Sequence, residues 1–377
     1  MMDRIRHAAA VLNNDFIQDW KTGGGKVVGY SCTFIPEEIL HAAGILPFRL
    51  RGIGTSSVSI GDSYFGPVNC SLPKCMLQLA GQGSYNFLDG AILSNGCDSM
   101  RRLEECWRKA SDDYPGTLPG YYEYFSVPHK AVDYSIDFYT RELNDMIGTL
   151  EGHFKVEITG EGLRNSIRCY NRARAMLRKL DTLRCLPEVP ITGEDAMAVL
   201  IAGHAMPFDT WTDLIEALIE ELEKAPSAAG GKKRLMLVGS ANDDIDFIRL
   251  IEEIGAVVTA ETVCFGSRTY ANPVDETQEP IHALASHYLN NSICPRMLGN
   301  YKDRRAYIME TVKNASVDGV ILQNVRFCDL HGSENGVLER DLEAAGIPCI
   351  RLEREYGPLV ETGRIRMRLD AFMERIS

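Results

Sequence analysis

Eight short apolar runs alternate with amphipathic stretches, and this pattern constrains the fold of the 377-residue chain more than any other feature. The runs are KVVGYSC (26–32), LPFRL (46–50), FLDGAILSNGC (87–97), YEYFSVP (122–128), KRLMLVGS (233–240), AVVTAETVC (256–264), VDGVILQNVRFC (317–328) and IPCIRLE (347–353). Apolar, β-branched runs between helical patterns are typical of parallel strands covered by helices on both faces. The sequence therefore predicts an α/β fold with two Rossmann-like domains, each a parallel sheet flanked by helices.

The region between the two sets of runs is predicted to be helical. Apolar residues recur at helical spacing over 135–154 and 160–185, and Thr192 is placed like the cap of a further helix. The Gly-rich segment 223–234 marks a linker before the second sheet. We predict an N-terminal α/β domain with a helical extension over residues 1–190 and a C-terminal α/β domain over residues 191–377.

A weak internal sequence repeat supports a chain built from two similar halves. Asp89-Gly90 opens the third run, Asp318-Gly319 opens the seventh, and both runs end in a Cys-Asp pair. Chance similarity between two buried strands is the alternative explanation. Because aspartate is a preferred residue at helix starts, Asp98 and Asp329 of these pairs are predicted to be N-caps.

Charge and hydropathy argue against two classes of protein. The formal net charge is −12, whereas nucleic-acid binders need basic surfaces. Residues 1–20 mix charged with apolar residues and lack a signal-peptide core, and no stretch reaches the ~18 uncharged apolar residues of a membrane span. We expect a cytoplasmic protein that binds neither nucleic acid nor membranes.

The eleven cysteines are expected to be packing thiols or metal ligands, because disulfides are rare in a reducing compartment. Ligands of open parallel sheets bind at the carboxyl ends of strands. Four cysteines follow predicted strands: Cys32, Cys97, Cys264 and Cys328. Two more lie beside prolines in loops or at helix starts: Cys70 and Cys294. The other five are interpreted as packing thiols: Cys75, Cys106, Cys169, Cys185 and Cys349.

The six thiols suit iron–sulfur chemistry. Soft thiolates bind iron–sulfur clusters, and the amides at helix N-termini stabilise negative charge. The sequence contains neither a CxxC pair nor a ferredoxin-like run. The ligands would therefore be gathered from distant loops, as in a pocket between two domains.

Several stretches resemble the 2-hydroxyacyl-CoA dehydratase and benzoyl-CoA reductase superfamily. They are GYSCTFIPEEILHAAGILPFRLRG (29–52), NCSLPKCML (69–77), FLDGAILSNGCDSMRRL (87–103), VDGVILQNVRFCD (317–329), GIPCIRLEREYG (346–357) and GRIRMRLDAFMERI (363–376). The similarity covers nearly the whole chain in order. It implies two α/β domains, each with a parallel sheet, and an iron–sulfur cluster at their interface.

The resemblance also implies a ligand set. Dehydratase and reductase subunits hold a 4Fe-4S cluster on three cysteines, which correspond here to Cys70, Cys97 and Cys328. A second branch, the double-cubane cluster proteins, looks closer, and its three additional cysteines correspond to Cys32, Cys264 and Cys294. Six ligands from one chain imply a double-cubane 8Fe-9S cluster.

The implied activity is ATP-dependent, low-potential reduction of small molecules by an oxygen-sensitive enzyme, expected to be a homodimer. A separate iron–sulfur activator ATPase would supply the electrons. The Gly-rich segments 22–27 and 81–86 match neither a P-loop nor a dinucleotide fingerprint, so the nucleotide is expected to bind the activator.

Two other functions stay open. In the first, the chain is a subunit of a 2-hydroxyacyl-CoA dehydratase or benzoyl-CoA reductase, with one 4Fe-4S cluster and an acyl-CoA pocket shared with a sister chain in a heterodimer. The third possibility, from another class, is a non-catalytic electron-transfer protein.

Other side chains near the cysteines are weaker candidates. His331, Ser333 and Glu334 follow the last of the six cysteines and are candidate proton donors, with a plain loop and a capping serine as the alternative. Arg268 and Lys74 are candidates for offsetting cluster charge or binding a CoA phosphate, with surface salt bridges as the alternative.

Overall fold

The structure, a computed structural model, describes residues 1–290, 293–357 and 362–377. Each predicted run overlaps a strand, and the strands form two four-stranded parallel sheets. The first sheet, in the order β2-β1-β3-β4, contains β1 (Lys26–Tyr30), β2 (Ile45–Arg49), β3 (Gly90–Ser94) and β4 (Tyr121–Phe125). The second, in the order β6-β5-β7-β8, contains β5 (Lys233–Gly239), β6 (Ala256–Thr262), β7 (Gly319–Val325) and β8 (Cys349–Arg354). The predicted fold class is confirmed.

Helices precede, connect and separate the sheets. The N-terminal part contains α1 (Met2–Ala10), α2 (Asp15–Thr22), α3 (Glu37–Ala42), α4 (Ser59–Tyr64), α5 (Ser71–Gly81) and α6 (Asp98–Asp113). The predicted helical region contains α7 (Asp133–Phe154), α8 (Gly160–Arg184), α9 (Gly193–Ala202) and α10 (Phe208–Leu222). The C-terminal part contains α11 (Ile245–Glu253), α12 (Pro280–Asn290), α13 (Tyr301–Asn314), α14 (Asp329–Ala344) and α15 (Thr362–Arg375). Within the described ranges, no helix is long and apolar enough to cross a membrane.

Both faces of the first sheet are buried. On β1, Val27 joins an apolar cluster built with α5 and α6, while the next residue, Val28, joins a cluster built with α7 and α8. Ala91 and Ile92 on β3 divide in the same way. Because neighbouring residues of a strand point to opposite faces, a strand covered on both sides is an uninterrupted apolar run.

The helical region packs against the second sheet as well as the first. Residues of α8, α9 and α10 share one apolar cluster with β5 and β6, and α1 joins it through Ile5, Ala8 and Ala9. Thr192 caps α9 as predicted, since its hydroxyl accepts the Asp195 amide at 3.1 Å. The domain boundary at residue 190 stays a prediction.

The repeated Asp-Gly pairs have equivalent roles in the two sheets. Asp89 and Val27 exchange hydrogen bonds, the Asp89 amide reaching the Val27 carbonyl at 2.7 Å and its carboxylate accepting the Val27 amide at 2.9 Å. Asp318 and Arg234 do the same, both at 2.7 Å. Each aspartate thus fixes the start of the third strand of its sheet against the start of the first.

Candidate functional site

The cysteines predicted to follow strands do so in the structure. Cys32 and Cys264 lie two residues after β1 and β6, and Cys97 and Cys328 lie three residues after β3 and β7. All four therefore lie in loops at the carboxyl ends of parallel strands, where ligands of open α/β sheets bind. This part of the predicted placement is confirmed.

Three cysteines occupy the N-cap position of a helix: Cys70 before α5, Cys97 before α6 and Cys328 before α14. We call them the N-cap thiols. The predicted N-caps Asp98 and Asp329 are wrong by one position, because each is the first helical residue and the preceding cysteine is the cap. A carboxylate in the first turn still interacts favourably with the helix dipole.

The remaining three cysteines line one cavity of about 80 Å³. They are Cys32, Cys264 and Cys294, and we call them the cavity thiols. Cys294 interacts electrostatically with Cys264 and with Cys32. Cys97 interacts in the same way with the other two N-cap thiols.

The two groups of thiols adjoin each other. Cys97 interacts electrostatically with Cys32, and Cys328 with Cys264. All six predicted ligands are thus brought to one site, although they come from positions up to 296 residues apart, from Cys32 to Cys328. Whether they bind iron stays a prediction.

Burial keeps four of the six thiols protonated in the absence of a bound group. Burial raises the pKa of Cys294 to about 12 and of Cys328 to about 11, and raises the pKa of Cys70 and Cys97 as well. The backbone amides of nearby residues oppose this shift, as at the N-cap thiols. Because metals bind thiolates, loading the site must release protons.

Within the described ranges, no group of three or more His, Cys, Asp or Glu residues is arranged to hold a single metal ion. That arrangement requires donors that converge on one atom. In an iron–sulfur cluster each thiolate binds a different iron, so its ligands are spread over a wider space. Adjoining thiols that face backbone amides fit such a cluster by donor type and charge.

Polar groups also line the cavity beside the thiols. Glu37 lies 3.4 Å from His204, whose Nδ1 lies 2.8 Å from the hydroxyl of Tyr30. Glu37 and His204 are both buried. This carboxyl–imidazole pair was not singled out from the sequence, because its members come from α3 and the loop after α9 and carry no local motif.

His331 and Glu334 both lie near the site but in different surroundings. The interpretation of 329–334 as a loop is wrong, since α14 begins at Asp329. Burial, with Arg268 and Arg304 nearby, holds the pKa of His331 well below its usual value, so its imidazole is neutral. Glu334 accepts two hydrogen bonds from Arg304, at 2.9 and 2.6 Å.

Arg304 links Glu334 to the loop of Cys294. Its guanidinium also donates to the carbonyls of Cys294 at 3.3 Å and Met297 at 3.1 Å. Glu334 therefore positions this loop through Arg304. The proton-donor roles of His331 and Glu334 stay predictions.

Glu261 has a similar positioning role for the loop of Cys264. Its carboxylate accepts the amides of Val263 at 3.1 Å and Ser267 at 2.8 Å. At Gly266 a side chain is excluded, because a Cβ there would lie 2.0 Å from a Glu261 oxygen. The sequence analysis did not single out Glu261, and the one signal for it in the sequence is its position at the end of an apolar run.

The remaining candidates from the sequence differ in whether they contact the six thiols. Arg268 donates to the thiol of Cys264 at 3.4 Å, whereas Lys74 pairs with Asp62 at 2.9 Å. The predicted packing thiols Cys75, Cys106 and Cys349 are buried in α5, α6 and β8, and Cys169 and Cys185 are half-buried on α8 and at its C-terminal end.

The fold and site define a two-sheet α/β protein with a cysteine-rich centre, and comparison with known proteins agrees. Residues 32–376 match the family model described as 2-hydroxyglutaryl-CoA dehydratase, D-component. The chain is 27% identical over 320 residues to a benzoyl-CoA reductase subunit of Thauera aromatica, covering 83% of this chain and 81% of that protein. It is 25% identical over 356 residues to the (R)-phenyllactyl-CoA dehydratase beta subunit of Clostridium sporogenes, covering 94% and 92%.

A further relative is the beta subunit of (R)-2-hydroxyglutaryl-CoA dehydratase of Acidaminococcus fermentans, 23% identical over 365 residues, with 95% of this chain and 94% of that protein covered. The chain belongs to the 2-hydroxyglutaryl-CoA dehydratase D-component family. The predicted superfamily is confirmed, and with it the prediction of an enzyme of this type.

Proposed function

We propose that the chain holds an iron–sulfur centre on its six adjoining thiols and uses it to reduce small molecules with electrons from a separate ATP-dependent activator. The observation that carries this proposal is the division of the thiols into three at helix N-caps and three that line one cavity, with the loop of Cys97 packed so closely on Cys32 that a Cβ at Gly96 would lie 2.5 Å from the Cys32 sulfur. Two cubanes joined by a sulfide need two such groups side by side. The double-cubane 8Fe-9S cluster fits that arrangement.

The residues of the chain fit the proposed chemistry. When bound, the cluster supplies low-potential electrons. The six thiols hold it, the amides behind the N-cap thiols favour its negative charge, and the loops of Cys264 and Cys294 are fixed by Glu261 and Arg304. The carboxyl–imidazole pair of Glu37 and His204, 3.4 Å apart, lies beside the cavity thiols.

Anaerobic reconstitution tests the proposal. We expect about eight irons per purified chain and a matching gain of sulfide, and a fall to about four or fewer in Cys32→Ser, which removes one cavity thiol. Cys106→Ser, a buried thiol in α6 outside the site, is the control and keeps the wild-type iron content. Full iron in Cys32→Ser would exclude Cys32 as a ligand and with it the six-thiol centre.

A second candidate function is a dehydratase or reductase subunit with one 4Fe-4S cluster on the N-cap thiols. Two observations favour it: these thiols alone among the six share the N-cap position, and the relatives described above are named as subunits. It predicts about four irons in both wild type and Cys32→Ser, and a need for a sister chain to act on an acyl-CoA. A non-catalytic electron carrier would show no turnover with any substrate.

The proposal includes the assembly and location expected from the sequence, a cytoplasmic homodimer. A heterodimer belongs to the second candidate. Light scattering of the chain expressed alone measures its assembly, and an activity assay with the activator and ATP completes the distinction, since a chain that requires a sister chain stays inactive by itself.

A further inference from the structure

Buried arginines in this chain fall into two groups. Five pair with a carboxylate: Arg51 with Asp243, Arg174 with Glu38, Arg184 with Asp181, Arg304 with Glu334 and Arg354 with Asp244. In contrast, no carboxylate of the described residues forms an ion pair with buried Arg49, buried Arg296 or half-buried Arg268. A cation taken out of water without a counter-charge is costly, so these exceptions need a reason.

Arg296 is almost fully buried, with 1% of its surface exposed. Its guanidinium donates to the backbone carbonyls of Asn95, at 3.2 Å, Val127 and Pro128. Every one of these acceptors is neutral. The ionisable groups around it include the thiols of three predicted ligands: Cys32, Cys97 and Cys294.

Arg268 lies against the other side of the site. Besides the Cys264 thiol, it donates to the carbonyls of Gly239 at 2.8 Å and Thr262 at 3.0 Å, and it interacts electrostatically with Cys294 and Cys328. Its Nε is buried and has no hydrogen-bond partner among the described residues. Again the oxygen acceptors are neutral.

Arg49 completes the set from the end of β2. It is 4% exposed, donates to the hydroxyl of Thr33 at 3.0 Å, and lies over the ring of Phe265, 4.9 Å from the centroid. Thr33 follows Cys32 and Phe265 follows Cys264, and the Thr33 hydroxyl donates to the Cys264 carbonyl at 3.1 Å. Arg49 therefore sits directly behind two of the cavity-thiol loops.

We propose that Arg49, Arg268 and Arg296 are the built-in counter-charges of an anionic centre held on the six thiols, and that they raise its reduction potential and its retention. This inference rests on the proposed function. None of the three cations forms an ion pair with a carboxylate of the described residues, and thiolates with a bound cluster would place negative charge beside them. In a poorly solvated interior each nearby charge acts strongly, and a positive charge favours the more negative, reduced state.

The test compares the loaded chain with charge-removing and charge-keeping variants. Arg268→Gln should shift the midpoint reduction potential of the cluster to more negative values and speed iron loss to a chelator several-fold. Arg268→Lys keeps the charge and should show less than half of either effect. Arg326→Gln is the control: this arginine lies two residues before Cys328, but its side chain is 56% exposed, so water and salt screen it.

The outcomes separate the two proposals. Equal potentials and equal iron loss in wild type, Arg268→Gln and Arg268→Lys, at full iron content, would overturn the counter-charge role and leave the cluster standing. A wild-type chain that takes up no iron would overturn both. If Arg268→Gln does not fold by circular dichroism, Arg49→Gln replaces it and is held to the same criteria.

Discussion

At the scale of single residues, Gly96 sets how closely the loop after β3 approaches Cys32. A Cβ at this position would lie 2.5 Å from the Cys32 sulfur and 3.1 Å from its Cβ. We expect Gly96→Ala to displace Cys32, to lower the iron content of the reconstituted chain and to cost about 1–3 kcal/mol of unfolding free energy. Iron analysis and denaturant unfolding measure the two effects.

Gly148 provides the matched control, because a Cβ there would meet nothing within 4 Å and the residue lies inside α7. Gly148→Ala should keep the full iron content, and its free energy of unfolding should rise by about 0.5–1 kcal/mol. Wild-type iron in Gly96→Ala would show that Cys32 tolerates the displacement or is not a ligand.

Glu261 predicts a pH dependence of stability. Burial raises its pKa to about 6 from an ordinary 4.5, with Arg184 opposing and Asp181 adding to the shift. The folded state therefore favours the neutral carboxyl, so this contribution to stability is complete below about pH 4.5 and is lost as the pH rises through about 6. The loss amounts to about 2 kcal/mol.

Denaturant unfolding of the iron-free chain at several pH values measures this loss. The wild-type free energy of unfolding should fall relative to that of Glu261→Gln between about pH 4.5 and 6, because glutamine does not titrate. Parallel curves for the two proteins would contradict the assignment. The comparison cancels the other carboxyl groups that titrate in the same range.

At the scale of elements, the aspartates that open β3 and β7 should stabilise the two sheets in the same way. Asp318→Ala removes the acceptor of the Arg234 amide and should cost about 1.5–3 kcal/mol, the range for a hydrogen bond to a charged group. Asp89→Ala removes the acceptor of the Val27 amide and should lower the free energy of unfolding by a similar amount. Thermal or denaturant unfolding measures both.

Asp3→Ala is the control for this pair, since the Asp3 side chain is 95% exposed and its ion pair with Arg6 lies within the first turns of α1. Its effect should stay within about 0.5 kcal/mol. A cost below that level at both Asp89 and Asp318 would show that the register of each sheet is fixed by strand packing alone.

The elements were largely predictable, whereas their ends and long-range pairings were not. Strands such as β3 and β7 are buried on both faces, so an apolar run identified them. Cysteine is not among the favoured N-cap residues, so Asp98 and Asp329 were predicted as caps in its place. Arg296 was missed because its acceptors lie about 170 to 200 positions away, and no local pattern reports such a partner.

The residue types of the candidate site were predictable, and the family resemblance already divided the six thiols into the same two sets of three, but their positions relative to one another were not predictable. Strand ends and neighbouring prolines marked the six thiols, since carboxyl ends of parallel strands gather ligands. Their relative positions depend on how the two sheets face each other. That arrangement is set by packing between distant segments, for example Phe265 within the core of the first sheet.

At the scale of the whole molecule, removal of the bound centre should lower the stability of both sheets together. Each group of three thiols draws on loops from both sheets, so a bound cluster connects them. We expect the loaded chain to unfold in one calorimetric transition at a higher temperature than the iron-free chain. The unfolding temperature of Cys106→Ser should rise on iron loading by as much as that of the wild type. An unfolding temperature of the wild type that does not change on loading would contradict a cluster that connects the two sheets.

The division of the thiols between the sheets also bears on how the protein is made. Two N-cap thiols belong to the first sheet and one to the second, while the cavity thiols divide the opposite way. The cavity thiols are complete only when Cys294 has left the ribosome, and the N-cap thiols only when Cys328 has. Both cysteines lie in the last quarter of the 377-residue chain. A nascent or truncated chain thus cannot capture iron in a finished site, and maturation must wait for these late segments to be translated.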